Sequence, residues 1–264
     1  MIETVAITEW GLTHPWSTPE QIEQDLLLSR AICAIAMDGY LGKELVFRGG
    51  TALHKLYLPE PYRYSEDLDY VRRSSGGISK VTKALTLIGN DLGFTVKTRI
   101  TEYPKVIWCT VSDSGLPLKI KIEVNTHERS PALPITRKKF GVESRWWSGT
   151  ANVQMFHAAE LMATKIRALY QRSKGRDLFD IWLALTTLQI APTDILSAFN
   201  AYRPEKMTSE LAIANLQAKL SDSRFRNDLD LLVPKYPDGY NVDSAAAIVI
   251  DLLLGRIDEA WRHA

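Results

Sequence analysis

The chain has 264 residues and a formal net charge of +1, and hydrophobic residues make up 45% of it. This composition excludes a disordered chain, because there is ample apolar material for a core. The near-zero charge excludes a protein that coats nucleic acid through bulk electrostatics, although it permits a local basic groove. Two cysteines are too few for a disulfide framework. Residues 1–10 have no basic cluster before an apolar run, and Arg30 and Asp251 interrupt the most apolar windows. We therefore expect no signal peptide, no membrane span, and a cytoplasmic protein without a membrane partner.

The front half of the chain mixes predicted helices and strands. A first helix begins after Thr18, where Pro19 suits the first helical position and Gln21 completes a capping box, and it ends at Gly39 or Gly42. Further helices are predicted at 51–57 and 78–92, and strands at 44–47, 67–71, 94–102, 106–112 and 118–125. The last strand is the clearest, because apolar and polar residues alternate along it. Residues 126–153 show no regular period and are expected to be irregular.

Beyond that segment only helices are predicted, at 157–172, 177–188, 193–200, 205–220 and 244–261. A mixed front half followed by a helical back half is typical of an α+β chain. We therefore expect a first domain with a small mixed sheet, residues 1–155, and a helical second domain, residues 156–264.

A strand is joined to a helix through Gly49, Gly50 and Thr51. Glycines let the backbone pass close to a ligand, and the start of a helix offers N–H groups and a positive dipole end that suit phosphate. The same residues also fit a plain tight turn. Taken alone, the motif leaves both interpretations open.

Three carboxylates are candidate metal ligands. Asp67 and Asp69 are two residues apart in a predicted strand, so both point to one face. Such neighbours repel one another unless a cation lies between them, and Mg²⁺ takes oxygen ligands and bridges to phosphates. The alternative is a solvated acidic edge. Glu123 lies on the polar face of strand 118–125, and its alternative role is a surface ion pair with Lys121 or Lys119.

A fourth candidate group lies in the helical half. Lys165 lies on helix 157–172, Gly175 is expected to break that helix, and Asp177 is expected to cap the next one or to orient Lys165. Lys165 can hold a triphosphate as a point charge, with Arg48 or Arg167 as helpers. The alternative is a solvated basic face followed by a capping aspartate.

The order of these features along the chain resembles the nucleotidyltransferase fold of polymerase β type. That fold has a glycine-containing helix start, then two acids on the next strand, then a third acid on a later strand. In it, a small mixed sheet presents the carboxylates to two Mg²⁺ ions. We therefore expect an α+β chain with a polymerase-β-type nucleotidyltransferase fold, followed by a helical C-terminal domain.

Four motifs make the resemblance specific in combination. They are Phe47-Arg48-Gly49-Gly50-Thr51-Ala52-Leu53, Arg63-Tyr64-Ser65-Glu66-Asp67-Leu68-Asp69, Lys165-Ile166-Arg167-Ala168-Leu169 and Gly175-Arg176-Asp177-Leu178-Phe179-Asp180. Over roughly residues 45–185 the chain resembles the AbiEii/AbiGii toxin family, which includes the MenT nucleotidyltransferase toxins.

The resemblance implies roles for individual residues. The expected catalytic residues are Ser65, Asp67, Lys165 and Asp177, with Asp180 as the alternative to the last. The expected nucleotide-binding residues are Arg48, Gly49, Gly50, Thr51, Ser65 and Lys165. The expected metal ligands are Asp67, Asp69 and Glu123, of which Glu123 comes from the third carboxylate of the fold and is not fixed by the family motifs.

The resemblance also implies a function. The family's toxins are encoded beside an antitoxin and use nucleoside triphosphates, and some relatives add nucleotides to the 3′ acceptor end of tRNA. We therefore expect transfer of nucleotides from a triphosphate to RNA, with Mg²⁺ as cofactor and a cognate antitoxin protein as partner. The metal would activate the attacking hydroxyl and neutralise the leaving pyrophosphate.

Two other functions compete with transfer. The first is a nucleotide-binding module that signals or sequesters the triphosphate without transferring it. The intact pair Asp67 and Asp69, together with Lys165, favours the enzyme. The second is a metal-dependent nuclease, which is disfavoured because the five histidines are scattered and form no ligand motif.

Basic residues cluster near two tryptophans, which suggests a contact with RNA. The cluster consists of Arg129, Arg137, Lys138, Lys139 and Arg145, beside Trp146 and Trp147. Cations contact phosphates, and an aromatic ring can stack on an unpaired base. The alternative is a basic loop with two packed tryptophans. The acidic N-terminal segment, which includes Glu23 and Asp25, is not expected to face nucleic acid.

Overall fold

A computed structural model describes residues 2–262, and these divide into two compact units. The first comprises the described residues up to Pro131 together with Ile135–Phe156. The second comprises Ala132–Pro134 together with the described residues from His157 onward. The main division thus falls after Phe156, next to the domain boundary expected between residues 155 and 156.

The first unit is built on a seven-stranded mixed sheet. Its strands are β1 (Leu45–Arg48), β2 (Asp67–Arg72), β3 (Thr95–Arg99), β4 (Lys105–Val111), β5 (Pro117–Asn125), β6 (Thr136–Glu143) and β7 (Ser148–Met155). They lie in the order β3-β4-β5-β2-β1-β7-β6. Strand β2 runs parallel to β5 and β1 parallel to β7, and the other neighbours are antiparallel.

The first unit also contains helices, several of which pack against this sheet. They are α1 (Thr4–Gly11), α2 (Pro19–Met37), α3 (Leu41–Glu44), α4 (Gly49–Ala52), which continues as a π-helical turn over Leu53–Tyr57, and α5 (Ser79–Asp91). Helix α2 begins as predicted, because the Thr18 side chain accepts the backbone N–H of Gln21. It packs against β5 and β7, while α5 packs against β3 and β4.

The two faces of the sheet differ in polarity because side chains alternate along each strand. In β5, Ile120, Ile122 and Val124 are at most 1% exposed, whereas Lys121 and Glu123 between them are half-buried on the other face. The same alternation in β2 buries its apolar side chains and places two aspartates on the polar face. Burial of the apolar face therefore fixes the register, since a slip of one residue would exchange the faces.

The prediction of irregular structure over 126–153 is wrong. This segment contains β6 and most of β7, which pair with each other in antiparallel register. Strand β6 lies at the edge of the sheet, and its Arg137 and Lys139 side chains are exposed. It therefore lacks the apolar period that identifies a half-buried strand, and its strand form depends on pairing with β7.

Helix α1 was not predicted from the sequence. Its N-cap residue, Glu3, makes no side-chain capping bond, so the usual signal for a helix start is missing. The helix buries Ala6, Ile7 and Trp10. Packing of one face therefore stabilises it, as is usual for so short a helix.

His14, which lies just after α1, makes the stability of the protein depend on pH. His14 stacks on Trp10 with ring centroids 4.0 Å apart, and burial, helped by the charge of Lys55, lowers the His14 pKa from 6.5 to about 4. Between these pH values the unfolded chain binds a proton that the folded chain does not, so stability falls as the pH drops from 6.5 to 4. We expect the Tm of His14→Gln to fall less over this range than that of the wild type in thermal denaturation. Equal falls would contradict the assignment.

The second unit is helical. Its helices are α6 (Ala158–Gln171), α7 (Gly175–Thr186), α8 (Pro192–Phe199), α9 (Ser209–Leu220), α10 (Ser223–Arg226), α11 (Val242–Leu252) and α12 (Ile257–Arg262). The single helix expected at 244–261 is wrong, because a 3₁₀ turn at Leu254–Arg256 separates α11 from α12. None of the helices described has the length and apolar character needed to cross a membrane.

Candidate functional site

Neighbouring strands place the predicted acids on one face of the sheet. Asp67 and Asp69 lie in β2, and Glu123 lies opposite Asp69 in the adjacent strand β5. Lys121 lies opposite Asp67 in the same parallel pair. Paired residues point to the same side of a sheet, so the three carboxylates share its polar face, where all are half-buried. We call these three residues the carboxylate face.

The ammonium of Lys121 lies between two of these acids. Its Nζ is 2.7 Å from Oδ2 of Asp67 and 2.9 Å from Oε1 of Glu123, which also contacts Lys105 at 3.1 Å. Burial alone would raise the pKa of Glu123, but the hydrogen bonds from Lys121 and Lys105 hold that pKa below its usual value. Burial would likewise lower the pKa of Lys121, and the bonds to both acids raise it instead. Of the two lysines considered as partners of Glu123, Lys121 is the one in contact.

The donor set suits a divalent cation that is shared with a substrate. Mg²⁺ prefers oxygen ligands and is usually held by one or two carboxylates together with substrate phosphates. Asp67 and Glu123 already bind one cation, the ammonium of Lys121. Across residues 2–262, no group of three or more His, Cys, Asp or Glu side chains is placed to hold a metal ion. A metal bound to the carboxylate face would therefore need further ligands from the substrate.

The turn from β1 into α4 presses against the carboxylate face. Gly49 has a φ of +82°, and a Cβ atom at this position would clash with Oδ2 of Asp69. A Cβ atom at Gly50 would clash with the guanidinium of Arg63 and lie 3.4 Å from Oγ of Ser65. Only glycine fits either position without displacing a neighbour, which accounts for both glycines of the motif.

Thr51 links the glycine motif to the Ser-x-Asp motif. Its side chain is 1% exposed, its hydroxyl donates to the backbone oxygen of Asp67 at 2.5 Å, and its Oγ1 lies 2.8 Å from Oγ of Ser65. Because the Thr51 hydroxyl has one proton and gives it to Asp67, Ser65 is the donor in the second bond. Thr51 thus fixes the position of Ser65.

Arg48 adds a positive charge beside these acids. It lies opposite Asp69 across the β1–β2 ladder. Its guanidinium donates to Glu128 at 2.9 Å and lies over the ring of Phe156, 5.2 Å from the centroid. The side chain is only 13% exposed, so packing and the ion pair hold the cation on the same side of the sheet as Asp69.

In the second unit, two buried aspartates hold Lys165. Its Nζ lies 2.8 Å from Oδ1 of Asp177 and 2.9 Å from Oδ2 of Asp180, and both carboxylates are fully buried. Arg172 donates to both oxygens of Asp177, at 2.7 and 2.8 Å. Burial alone would raise the pKa of Asp177, but Lys165 and Arg172 outweigh it and hold the pKa below its usual value. We call Lys165, Asp177 and Asp180 the buried charge cluster, which Arg172 joins from a side chain that is 52% exposed.

The prediction that Asp177 caps its helix is wrong. Helix α7 begins at Gly175, and its N-cap is Lys174. Gly175 therefore starts a helix instead of breaking one, and a Cβ atom there would clash with the carbonyl oxygen of Phe225. Of the two roles considered for Asp177, the structure shows the contact with Lys165.

The basic residues considered for RNA binding have different surroundings. Lys138 donates to the carbonyl of Leu56 and lies 4.1 Å above the ring of Tyr57, and Arg145 forms an exposed ion pair with Glu9. Arg137 and Lys139 are exposed along β6.

Trp146 and Trp147 both lie against the guanidinium of Arg30, 4.8 and 5.7 Å from their ring centroids. The alternative to an RNA contact was a basic loop with two packed tryptophans. The two tryptophans are packed, but the segment is a β-hairpin and not a loop.

Comparison with known families identifies the chain. A family model described as the nucleotidyl transferase AbiEii toxin of type IV toxin–antitoxin systems matches residues 30–248. The chain belongs to the AbiEii toxin family. It is therefore a nucleotidyltransferase toxin of a type IV toxin–antitoxin system, and the family implies a nucleoside triphosphate substrate and an antitoxin partner. This confirms the family expected from the four sequence motifs.

A solved structure of low sequence identity shares the fold. MenT4, a nucleotidyltransferase toxin from Mycobacterium tuberculosis H37Rv, is 16% identical with a TM-score of 0.51, over 94% of this chain and 99% of that chain. This likeness supports the expected α+β nucleotidyltransferase fold. An antigenic nucleotidyltransferase-like protein from Paracoccidioides brasiliensis is 19% identical over 81% of this chain and 92% of that chain, with a TM-score of 0.39. Comparison with curated proteins found no match.

Gly49→Ala in this AbiEii toxin should reduce nucleotide transfer as well as stability. A residue with a side chain costs about 1–2 kcal/mol in a left-handed conformation, and alanine at Gly49 would also displace the Asp69 carboxylate. Gly76 has a φ of +98° and open space around it, so Gly76→Ala is a matched control for the backbone strain alone. We expect both variants to melt earlier and only Gly49→Ala to lose transfer. Equal nucleotide transfer by Gly49→Ala and Gly76→Ala would contradict a role for the close contact between Gly49 and Asp69.

The contact between Lys121 and Asp67 was not predicted. Lys121 was expected only as a surface partner of Glu123, with which it shares the polar face of β5. The missing information was the register between β2 and β5, which places Lys121 beside Asp67. A lysine two residues from an acid, on a strand next to an Asp-x-Asp strand, is the signal that could have revealed it.

Proposed function

We propose that this toxin transfers a nucleotide from a nucleoside triphosphate to an RNA end, with the 3′ acceptor end of tRNA as target and Mg²⁺ as cofactor. The carboxylate face carries the proposal: Asp67 and Asp69 lie beside Glu123, next to the turn that holds Gly49. Phosphoryl transfer depends on positioning and charge stabilisation more than on a protein nucleophile. The tRNA target rests on the family resemblance.

The residues of the first unit would have separate roles in nucleotide transfer. Asp67 and Asp69 would hold Mg²⁺, with Glu123 as a third carboxylate, and the bound metal supplies an activated hydroxyl and neutralises charge on the pyrophosphate. Gly50 leaves room for the guanidinium of Arg63 against the backbone, so this part of the turn would offer a positive charge to a phosphate. Ser65 offers a hydroxyl that Thr51 holds in place.

The family motif also assigns Lys165 and Asp177 to the reaction. We infer that Lys165 supports binding of the triphosphate through its charge, as lysine does at other phosphate sites. Asp177 and Asp180 would act as positioning residues, since each holds the ammonium at a fixed distance, 2.8 and 2.9 Å.

One labelling experiment tests the reaction, the nucleotide and the acceptor. The protein is incubated with total RNA, Mg²⁺ and each of the four α-³²P-labelled nucleoside triphosphates in turn, and the RNA is separated on a denaturing gel. We expect one triphosphate to label RNA of tRNA size, and EDTA to abolish the label. If the triphosphate binds but no RNA is labelled, the protein is a nucleotide-binding module instead.

The exposed cations of β6 are the candidates for RNA contact. Reversing both charges, Arg137→Glu with Lys139→Glu, should weaken tRNA binding, most strongly at low salt, and reduce the slope of log affinity against log salt by about 1–2. Lys97→Glu with Arg99→Glu is a matched control, because these exposed residues have the same spacing on β3, the opposite edge strand. Filter binding over a salt series measures both. Identical slopes in the two double variants would remove β6 from the RNA contact.

A further inference from the structure

A pocket of about 340 Å³ lies in the first unit. Its lining includes Thr51 and Ser65 from the motifs described above, together with Trp10, Trp16 and Asp25. The volume is within the range of small-molecule sites, which combine apolar walls with a few polar groups. The catalytic roles proposed above leave most of this pocket unused.

Asp25 has one oxygen in use and one without a partner. Its side chain is 1% exposed, and Oδ2 accepts from Nζ of Lys55 at 2.6 Å and from Nε1 of Trp10 at 2.9 Å. Oδ1 is buried and has no hydrogen-bond partner among residues 2–262. Leaving a buried carboxylate oxygen unsatisfied is costly. Because Asp25 lines the pocket, a ligand there whose N–H reached Oδ1 would remove that cost.

Trp16 presents the complementary group. Its side chain is 6% exposed, and its Nε1 is a buried donor with no partner in the described part of the chain. Trp10 and His14, which also line the pocket, stack with ring centroids 4.0 Å apart and planes 5° from parallel. An unused acceptor, an unused donor and aromatic walls match the edge and faces of a nucleobase.

We propose that this pocket holds the base of the nucleoside triphosphate, with Oδ1 of Asp25 accepting an N–H of the base edge and Nε1 of Trp16 donating to a ring nitrogen or carbonyl. The inference rests on the proposed function and extends it to base selection. A base of the RNA end has the same chemistry. The triphosphate is favoured because Thr51 and Ser65, which line the pocket, belong to the motifs proposed to position its phosphates.

Asp25→Asn tests the inference with little change of shape. The amide oxygen can still accept from Lys55 and Trp10, and the amide NH₂ then replaces Oδ1, so an acceptor becomes a donor. Binding of the α,β-methylene analogues of all four triphosphates, and of inorganic tripolyphosphate, is measured by calorimetry. We expect the affinities of the four analogues relative to one another to change by about tenfold or more. Tripolyphosphate has no base, so its binding reports only the loss of the charge that pairs with Lys55. Asp91→Asn, the same change at an exposed site on α5, should keep the wild-type ranking.

Other outcomes of this experiment would contradict either the base pocket or the proposed function. A uniform change or no change across the four analogues overturns the base pocket and leaves the proposed function standing, whereas no binding of any analogue by the wild type overturns the proposed function itself. A changed preference for the 3′ base of the RNA, with triphosphate ranking intact, assigns the pocket to the acceptor and contradicts the inference. If Asp25→Asn does not fold, Trp16→Phe removes the other polar atom and should also change the ranking.

Discussion

Asp67→Asn should lower the rate of nucleotide transfer by roughly 10²–10³-fold, as loss of one charge-stabilising group does in other enzymes, and leave the Tm almost unchanged. Asparagine keeps the shape of the side chain but removes the charge that holds a cation, which in this structure is the ammonium of Lys121 at 2.7 Å. The two side chains are 39% and 31% exposed. Loss of this ion pair therefore lowers the free energy of unfolding by at most about 1 kcal/mol.

The adjacent residue provides the control. Glu66 is exposed next to Asp67, so Glu66→Gln makes the same change of charge one position away and should retain the wild-type rate. Transfer is measured by the labelling assay, and stability by thermal denaturation. A rate for Asp67→Asn within a few-fold of the wild type, in a folded protein, would contradict the role of the carboxylate face.

Lys121 explains how the acids of the carboxylate face lie together. Two carboxylates side by side repel one another and tend to take up a proton. The ammonium between Asp67 and Glu123 offsets that repulsion, and it holds the pKa of Glu123 below its usual value. Glu123 therefore remains ionised at neutral pH, as a ligand for a cation must be.

Local patterns in the sequence predicted the parts of the fold that depend on near neighbours. The capping residues after Thr18 located the start of α2, and the alternation in 118–125 located β5. The two-residue period also placed Asp67 and Asp69 on one face. The pairing of β2 with β5 depends on residues about fifty positions apart, and no local pattern fixes it. Glu123 was expected with the two aspartates only from the third carboxylate of the fold, and the position of Lys121 beside Asp67 was known only from that register.

Local patterns also failed to predict that two acids of α2 are buried. Glu23 and Asp25 belong to the acidic N-terminal segment, yet they are only 3% and 1% exposed. Residues 23–29 are all buried, so α2 has no solvent face over this stretch, and a pattern of one apolar face cannot reveal such a helix. The partners that make this burial possible, such as Lys55 for Asp25, lie far away in sequence.

Asp177→Ala should lower the free energy of unfolding by about 3–5 kcal/mol, the usual loss when one partner of a buried ion pair is removed. The carboxylate is fully buried and accepts from Lys165 once and from Arg172 twice. Alanine would leave Lys165 paired with Asp180 and remove three charge-assisted hydrogen bonds. The pKa of Asp177 is held low, so its ionised form contributes stability above the pKa of the unfolded chain and loses it as the pH falls through the folded pKa.

A surface pair in the same unit is the control for Asp177. Asp243 pairs with Arg226 at 2.8 Å, but its side chain is 59% exposed. Asp243→Ala should therefore cause only a small loss in urea denaturation. Similar losses for Asp243→Ala and Asp177→Ala would show that the buried charge cluster is no stronger than a surface pair.

The carboxylate face is half-exposed, whereas the buried charge cluster is not. Substitutions in the two should therefore change different kinetic constants. Asp177→Asn keeps an oxygen that Lys165 can approach but loses the charge that fixes its ammonium. Assayed well below its Tm, it should raise the KM for the triphosphate more than it lowers kcat, since Lys165 is proposed to act in binding. Asp67→Asn should lower kcat instead. If Asp177→Asn has wild-type constants once the unfolded fraction is subtracted, Asp177 serves the fold alone, and the family motif at this position is structural.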